Sequence, residues 1–125
     1  MEFKQLYEIA KKTLNPRTTS RNTEIGQVAC ALETVDGNVY TGINIDTACS
    51  MGYCAEANAI GTMLTNNETK IAKLVAVSVK HDIVPPCGRC REFMVQIDND
   101  NLNTEILLND KVYKLSELLP HRWEF

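Results

Sequence analysis

Gly52-Tyr53-Cys54-Ala55-Glu56-Ala57-Asn58-Ala59-Ile60, and downstream of it Pro85-Pro86-Cys87-Gly88-Arg89-Cys90, are the stretches on which the reading of this chain turns. Together they supply three cysteines and one glutamate at fixed spacings. Three thiolates hold a zinc ion and leave its fourth position to water, as a catalytic zinc site requires and a four-ligand structural site does not. A carboxylate two residues from one ligand can then carry protons without binding the metal. Each half alone is weak, since Cys-x-x-Cys also serves redox proteins and structural zinc sites. The pair is stronger because of its setting. Cys54 opens one apolar helical run, and Cys87, after two prolines, opens another. Two helix N-termini would thus aim their positive dipole ends at one spot and offset the excess negative charge of the thiolates.

Other uses of the same residues are weaker. Cys49 is the candidate for a fourth ligand, but it lies five residues before Cys54, an uncommon ligand spacing. A thioredoxin-like dithiol of Cys87 and Cys90 leaves Cys54-Ala55-Glu56 unexplained.

Composition narrows the classes. The 125 residues suit one domain, 1–125, with one modest core, and association is a plausible source of added stability at this size. The formal net charge is −3 and there is no basic stripe, which excludes long nucleic acid as the expected partner. No stretch is long and apolar enough to span a membrane. The cysteines number five, with Cys30 in an apolar strand-like run. That odd number, and the lack of a signal peptide, predict a reducing, cytoplasmic setting.

Periodicity outlines the elements. Phe3, Leu6, Tyr7, Ala10 and Leu14 recur at helical spacing, and Asn15-Pro16 ends that helix. Residues 17–24 are polar and read as a loop. Val28–Thr34 and Val39–Ile45 are β-rich runs about Asp36-Gly37, a hairpin signal. Glu56–Leu64 carries Ala59, Ile60, Met63 and Leu64 at helical spacing. Ile71–Val79 is nearly continuous apolar sequence, as in a central strand buried on both faces. Arg89–Ile97 is a second inward helix, with Phe93, Met94 and Ile97. Glu105–Leu108 and Val112-Tyr113 are short strands whose connection makes them antiparallel. Ser116–Leu119 is a last helical turn. This order gives a mixed sheet with helices on its faces.

Around the thiols the spacing leaves several roles open. Asn44 and Asp46 fall on one side of their strand, placed either for sugar hydroxyls or for an ordinary turn. Arg89 and Arg91 either support acidity at the metal or are solvated helix charges. His81 and His121 are not needed as ligands.

With these residues in view, the chain resembles the cytidine deaminase family, whose zinc-dependent relatives share a Cys/His-x-Glu and a later Pro-Cys-x-x-Cys. The resemblance is to its small homotetrameric branch with three zinc cysteines. It runs from about Val28 to the C-terminus through Asp36-Gly37, Thr41-Gly42-Ile43-Asn44, Cys54-Ala55-Glu56, Pro86-Cys87-Gly88-Arg89-Cys90-Arg91 and Leu115-Ser116-Glu117-Leu118-Leu119-Pro120. It implies a three-layer α/β/α fold with a five-stranded mixed sheet. It also implies hydrolytic deamination of cytidine or deoxycytidine, with Zn²⁺ on Cys54, Cys87 and Cys90 and Glu56 as the proton carrier. Asn44 would contact the ribose, with Asp46 where the family has Glu. The Ala55 N–H would bind the pyrimidine O2, and the Pro85 carbonyl the leaving amine. Phe125 or Trp123 would reach into a neighbour's site within a homotetramer.

There are departures. Ala57 stands where ordinary members carry Arg, Glu92 where they carry Gln, and Gly26 where an aromatic residue is usual. The Asn44–Cys54 gap is one residue short. That gap, Pro-Cys-Gly-Arg-Cys-Arg and the terminal Trp123-Glu124 resemble the blasticidin S deaminase branch, whereas Asp46 does not. A non-catalytic zinc module is the remaining alternative, and it has no need of Glu56.

Overall fold

The apolar spacing that begins at Phe3 forms helix α1 (Phe3–Thr13), which buries Leu6 and Ala10. The computed structural model describes residues 1–124. After α1 come strands β1 (Arg17–Ser20), β2 (Thr23–Thr34) and β3 (Val39–Thr47), a 3-10 turn (Ala48–Ser50) and helix α2 (Ala55–Thr65). Then follow β4 (Ile71–Ser78), β5 (Asp82–Val84), helix α3 (Gly88–Ile97), a second 3-10 turn (Asn99–Asn103), β6 (Glu105–Leu107), β7 (Val112–Lys114) and α4 (Leu115–Leu118).

The strands form one sheet in the order β1-β2-β4-β6-β7, with β3 on the other edge of β2 and β5 on β4. β4 and β6 are parallel, while β2 runs antiparallel to β1, β3 and β4. Alternation along β2 feeds two cores. Ala29 and Ala31 join Leu6, Ala10, Val75 and Val77 under α1. Cys30 and Leu32 join Ala59, Ile60, Met63, Leu74, Met94 and Leu115 on the face covered by α2, α3 and α4. The fold is therefore the expected three-layer mixed α/β arrangement, and β4 is buried on both faces.

Some expectations are corrected. The sheet has seven strands rather than five. Residues 17–24 are not a loop: β1 pairs with Thr23–Ile25 of β2 through Arg17↔Ile25 and Thr18↔Glu24. All of β1 is exposed, so no apolar alternation marks it. The segment before the prolines adds β5, paired to Ala76–Ser78. On α3, Met94 and Val95 are buried but Phe93 is 37 % exposed, because it lies on the flank turned away from the sheet. Leu64 at the end of α2 also faces outward.

The fit of α2 on the sheet positions the site. A Cβ on Gly42 of β3 would lie 2.5 Å from the Ala55 carbonyl oxygen and 2.4 Å from the Ala59 nitrogen. Only a glycine lets the helix backbone approach the strand this closely.

Candidate active site

Cys54 and Cys87 cap two helices. Cys54 is the residue before α2 and Cys87 the residue before α3, both with extended backbone (ψ 158° and 166°). The two N-termini converge, for the Cys54 and Cys87 sulfurs are 3.5 Å apart. Cys90, in the first turn of α3, is buried and completes the group, all three sulfurs lying within 4.8 Å of one another. Tetrahedral zinc with Zn–S bonds of about 2.3 Å sets its ligand sulfurs about 3.8 Å apart, so this cluster fits the ion with one position left open. Among the described residues it is the one cluster of three such groups. Cys49 lies outside it, exposed in the 3-10 turn with φ +62°.

The thiols differ electrostatically. Burial pushes the Cys54 thiol up, and hydrogen bonding to Cys87 adds to this. Burial pushes Cys90 up much further, helped by the charges of Glu56 and the other two thiols. Desolvation works against Cys87 as well, but the Cys90 backbone N–H and the neighbouring thiols bring it below the ordinary thiol value. Three thiolates beside a carboxylate can coexist only with a cation among them, which is what metal binding provides as it releases protons.

Glu56 is the second residue of α2, where the first turn lets it share the space beyond the helix end with Cys54. It is 4 % exposed. Desolvation pushes its carboxyl up, while the backbone N–H groups of Glu56 and Cys87 pull it partly back. It lies on a cavity of about 200 Å³ together with Val28, Asn44, Cys54, Ala55, Val84, Pro85 and Cys87. Apolar walls with a few convergent polar groups suit a small flat ligand. Ala55, first residue of α2, is buried against this space, and Pro85 forms its outer lip.

Asn44 and Asp46 lie on a strand and not in a turn. Asn44 also lines a neighbouring hollow with Asp46, Thr47, Cys54 and Arg89, so it stands between the two spaces. Asp46 is exposed and directly opposite Glu24 of β2. The arginines separate in role. Arg91 donates to the carbonyls of Pro86 (2.8 Å) and Leu118 (3.1 Å), clamping the ligand loop to α4, whereas Arg89 lines the hollow. His81 and His121 are exposed. Trp123 is exposed and its backbone N–H donates to Glu92, while Phe125 lies outside the described residues.

Three contributors carry no mark in the spacing: Val28 and Val84, which wall the cavity, and Gln27, which bonds to Asn44. The one available signal was Gly26, a glycine two residues before the β-rich run Val28–Thr34, which the structure places inside β2, where a glycine marks a bulge.

The model of the cytidine and deoxycytidylate deaminase zinc-binding region matches residues 3–105. The chain belongs to this family. Zinc is the cofactor of that family region, and the cluster of Cys54, Cys87 and Cys90 fits it. The cytidine deaminase of Mycoplasma genitalium is 29 % identical over 122 residues, covering 94 % of this chain and 88 % of its own. The blasticidin-S deaminase of Bacillus cereus is 26 % identical over 130 residues, covering 95 % and 90 %. In fold, the chain superimposes on the crystal structure of cytidine deaminase from Mycobacterium tuberculosis with a TM-score of 0.83 and 22 % identity, covering 100 % of this chain and 99 % of that one.

Proposed function

We propose that this chain is a zinc-dependent hydrolase that deaminates a cytosine nucleoside, cytidine or deoxycytidine, yielding the uracil nucleoside and ammonia. The carrying observation is Glu56, buried on a small cavity and held in the first turn of the helix that Cys54 caps. A purely structural zinc cluster has no use for a desolvated carboxyl.

The geometry supports the following roles. When bound to Cys54, Cys87 and Cys90, zinc supplies Lewis acidity and lowers the pKa of a water. Glu56 takes one proton from the attacking water as its oxygen bonds to C4 and passes that proton to N3 of the ring. It then takes the second from the new C4 hydroxyl and passes it to the amine as the C4–N bond breaks, and so ends as it began. Its raised pKa suits it to hold a proton as well as release one. The Ala55 N–H, one of the unpaired donors of a first helical turn, binds O2 of the base. The Pro85 carbonyl, on the cavity lip, accepts from the amine. Val28 and Val84 keep bulk water from the ring. Asn44 and Asp46 take the sugar hydroxyls, Asn44 at the boundary between cavity and hollow and Asp46 within the hollow. Phe125 closes the site of a neighbouring copy in a homotetramer, and the enzyme works in the cytoplasm.

A second reading, deamination of blasticidin S, is favoured by the likeness to the Bacillus cereus enzyme over nearly the whole chain. Ammonia release from cytidine, deoxycytidine, cytosine, dCMP and blasticidin S separates the two. The nucleosides should turn over, and Asp46→Ala should raise KM for cytidine about 5- to 100-fold, the range for losing a partner of a desolvated hydroxyl. Turnover of blasticidin S alone, indifferent to Asp46→Ala, would transfer the assignment to the second reading.

A further inference from the structure

We infer that Gln27 is the positioning residue that sets Asn44 for the sugar, an inference that rests on the nucleoside reading above. The observation is a break in the β2–β3 ladder. Ile25 pairs with Ile45 and Ala29 with Ile43, which leaves Gly26, Gln27 and Val28 all opposite Asn44. A bulge of this kind removes backbone partners and re-aims side chains.

Asn44 fills the gap with its own amide. Its Oδ1 accepts from the Val28 N–H at 2.9 Å, and its Nδ2 donates to Gln27 Oε1 at 2.9 Å. The first bond fixes which end of the amide is oxygen. The second holds the other end and fixes the amide against rotation. An amide has two donor hydrogens and two acceptor lone pairs, so one of each remains for a ligand. Such a pair matches a sugar hydroxyl, which both donates and accepts.

Gln27 is itself fixed from both sides. Its carbonyl accepts from the Val79 N–H, and the carbonyl of Gly26 accepts from the Asn15 N–H. Gly26 has φ +82°, and a Cβ there would lie 2.1 Å from the Asn15 carbonyl oxygen, so the bulge backbone admits glycine at that point. Gln27 does not line the catalytic cavity, whereas Asn44 does. Its influence on the substrate therefore passes through Asn44.

The test uses the full-length zinc-loaded enzyme. Gln27→Met keeps length and loses the acceptor; Gln27→Glu keeps an acceptor. Gln27→Met should raise KM for cytidine about 3- to 10-fold, the worth of one hydrogen bond, with kcat changed less than about twofold. Gln27→Glu should restore most of the loss. Product inhibition by uridine should weaken in parallel, while inhibition by 1-methyluracil, which has the base and no sugar, should stay put. In an Asn44→Ala background, Gln27→Met should add nothing to KM, as linked partners are non-additive. Should Asn44→Ala fail to fold, the uridine and 1-methyluracil comparison carries the test. An additive Gln27 effect, or equal weakening of both inhibitors, overturns the positioning role alone. A normal cytidine KM in folded Asn44→Ala overturns the sugar-site reading and this inference with it.

Discussion

Glu56 is a carboxyl that folding makes reluctant to ionise, set beside two thiols, Cys54 and Cys90, that burial also holds toward the protonated form. Such a group is poised to exchange protons, and removing only its acidity isolates that role. Glu56→Gln should retain the fold and its zinc while turnover falls about 10²- to 10⁴-fold, the usual worth of an acid–base group. Metal analysis and ammonia release on one preparation check this, and near-normal turnover would falsify the mechanism. The cysteines and Glu56 were legible in the sequence because metal and proton chemistry admit few residue types at few spacings. The pairing of Asn44 with Gln27 was not legible. It depends on a bulge that places residues 17 positions apart in contact, and no local pattern encodes that register.

At the scale of elements, the site depends on how closely α2 lies against β3. Gly42→Ala would drive a methyl into the Ala55 carbonyl and the Ala59 nitrogen, both backbone atoms that yield only if the helix moves. Overpacking typically costs about 1–3 kcal/mol, so thermal unfolding should drop accordingly, and turnover should drop with it because Cys54 and Glu56 ride on the same turn. A variant with unchanged melting and activity would show that the contact is not tight. Asp98 ties the end of α3 to the start of β4. It accepts from Thr69 and Lys70 and caps the second 3-10 turn at Asp100. The Lys70 hydrogen bond, and then the Asp100 N–H, hold its carboxyl below the ordinary value of 3.8. A depressed carboxylate contributes stability above its unfolded pKa and loses it as pH falls through the folded one. Asp98→Asn keeps a capping side chain and loses the charge. Its urea midpoint should be modestly below wild type at pH 7, and the gap should close as pH falls through the folded-state pKa of Asp98. A gap that persists in acid would mean the charge is not the cause. The helices and inner strands were legible because both bury an apolar face. β1 and β5 were not, since β1 is wholly exposed and β5 only three residues long. Phe93 followed the helical period but lies on the outer flank of its helix.

At the scale of the whole molecule, Tyr53 and Phe93 are exposed beside the site. A cavity of about 460 Å³ lined by Tyr53, Ala57, Arg89, Cys90, Glu92, Phe93 and Gln96 lies among them. An apolar face of this kind on a small chain calls for a cover, and the proposed homotetramer supplies one. Light scattering at micromolar concentration should return four times the chain mass, and removing residues 123–125 should weaken substrate binding with zinc retained. A fully active monomer is the opposing result. The bulge in β2 adds a point about chain length. A regular ladder between the Ile25↔Ile45 and Ala29↔Ile43 pairs needs one residue opposite Asn44, and this chain spends three. Because the extra residues number two, every later side chain of β2 keeps its face. A chain two residues shorter at this point would send Ala29 and Ala31 to one core and Cys30 and Leu32 to the other just as before. The fold is indifferent to the added pair, and what those residues lengthen is the reach of the site.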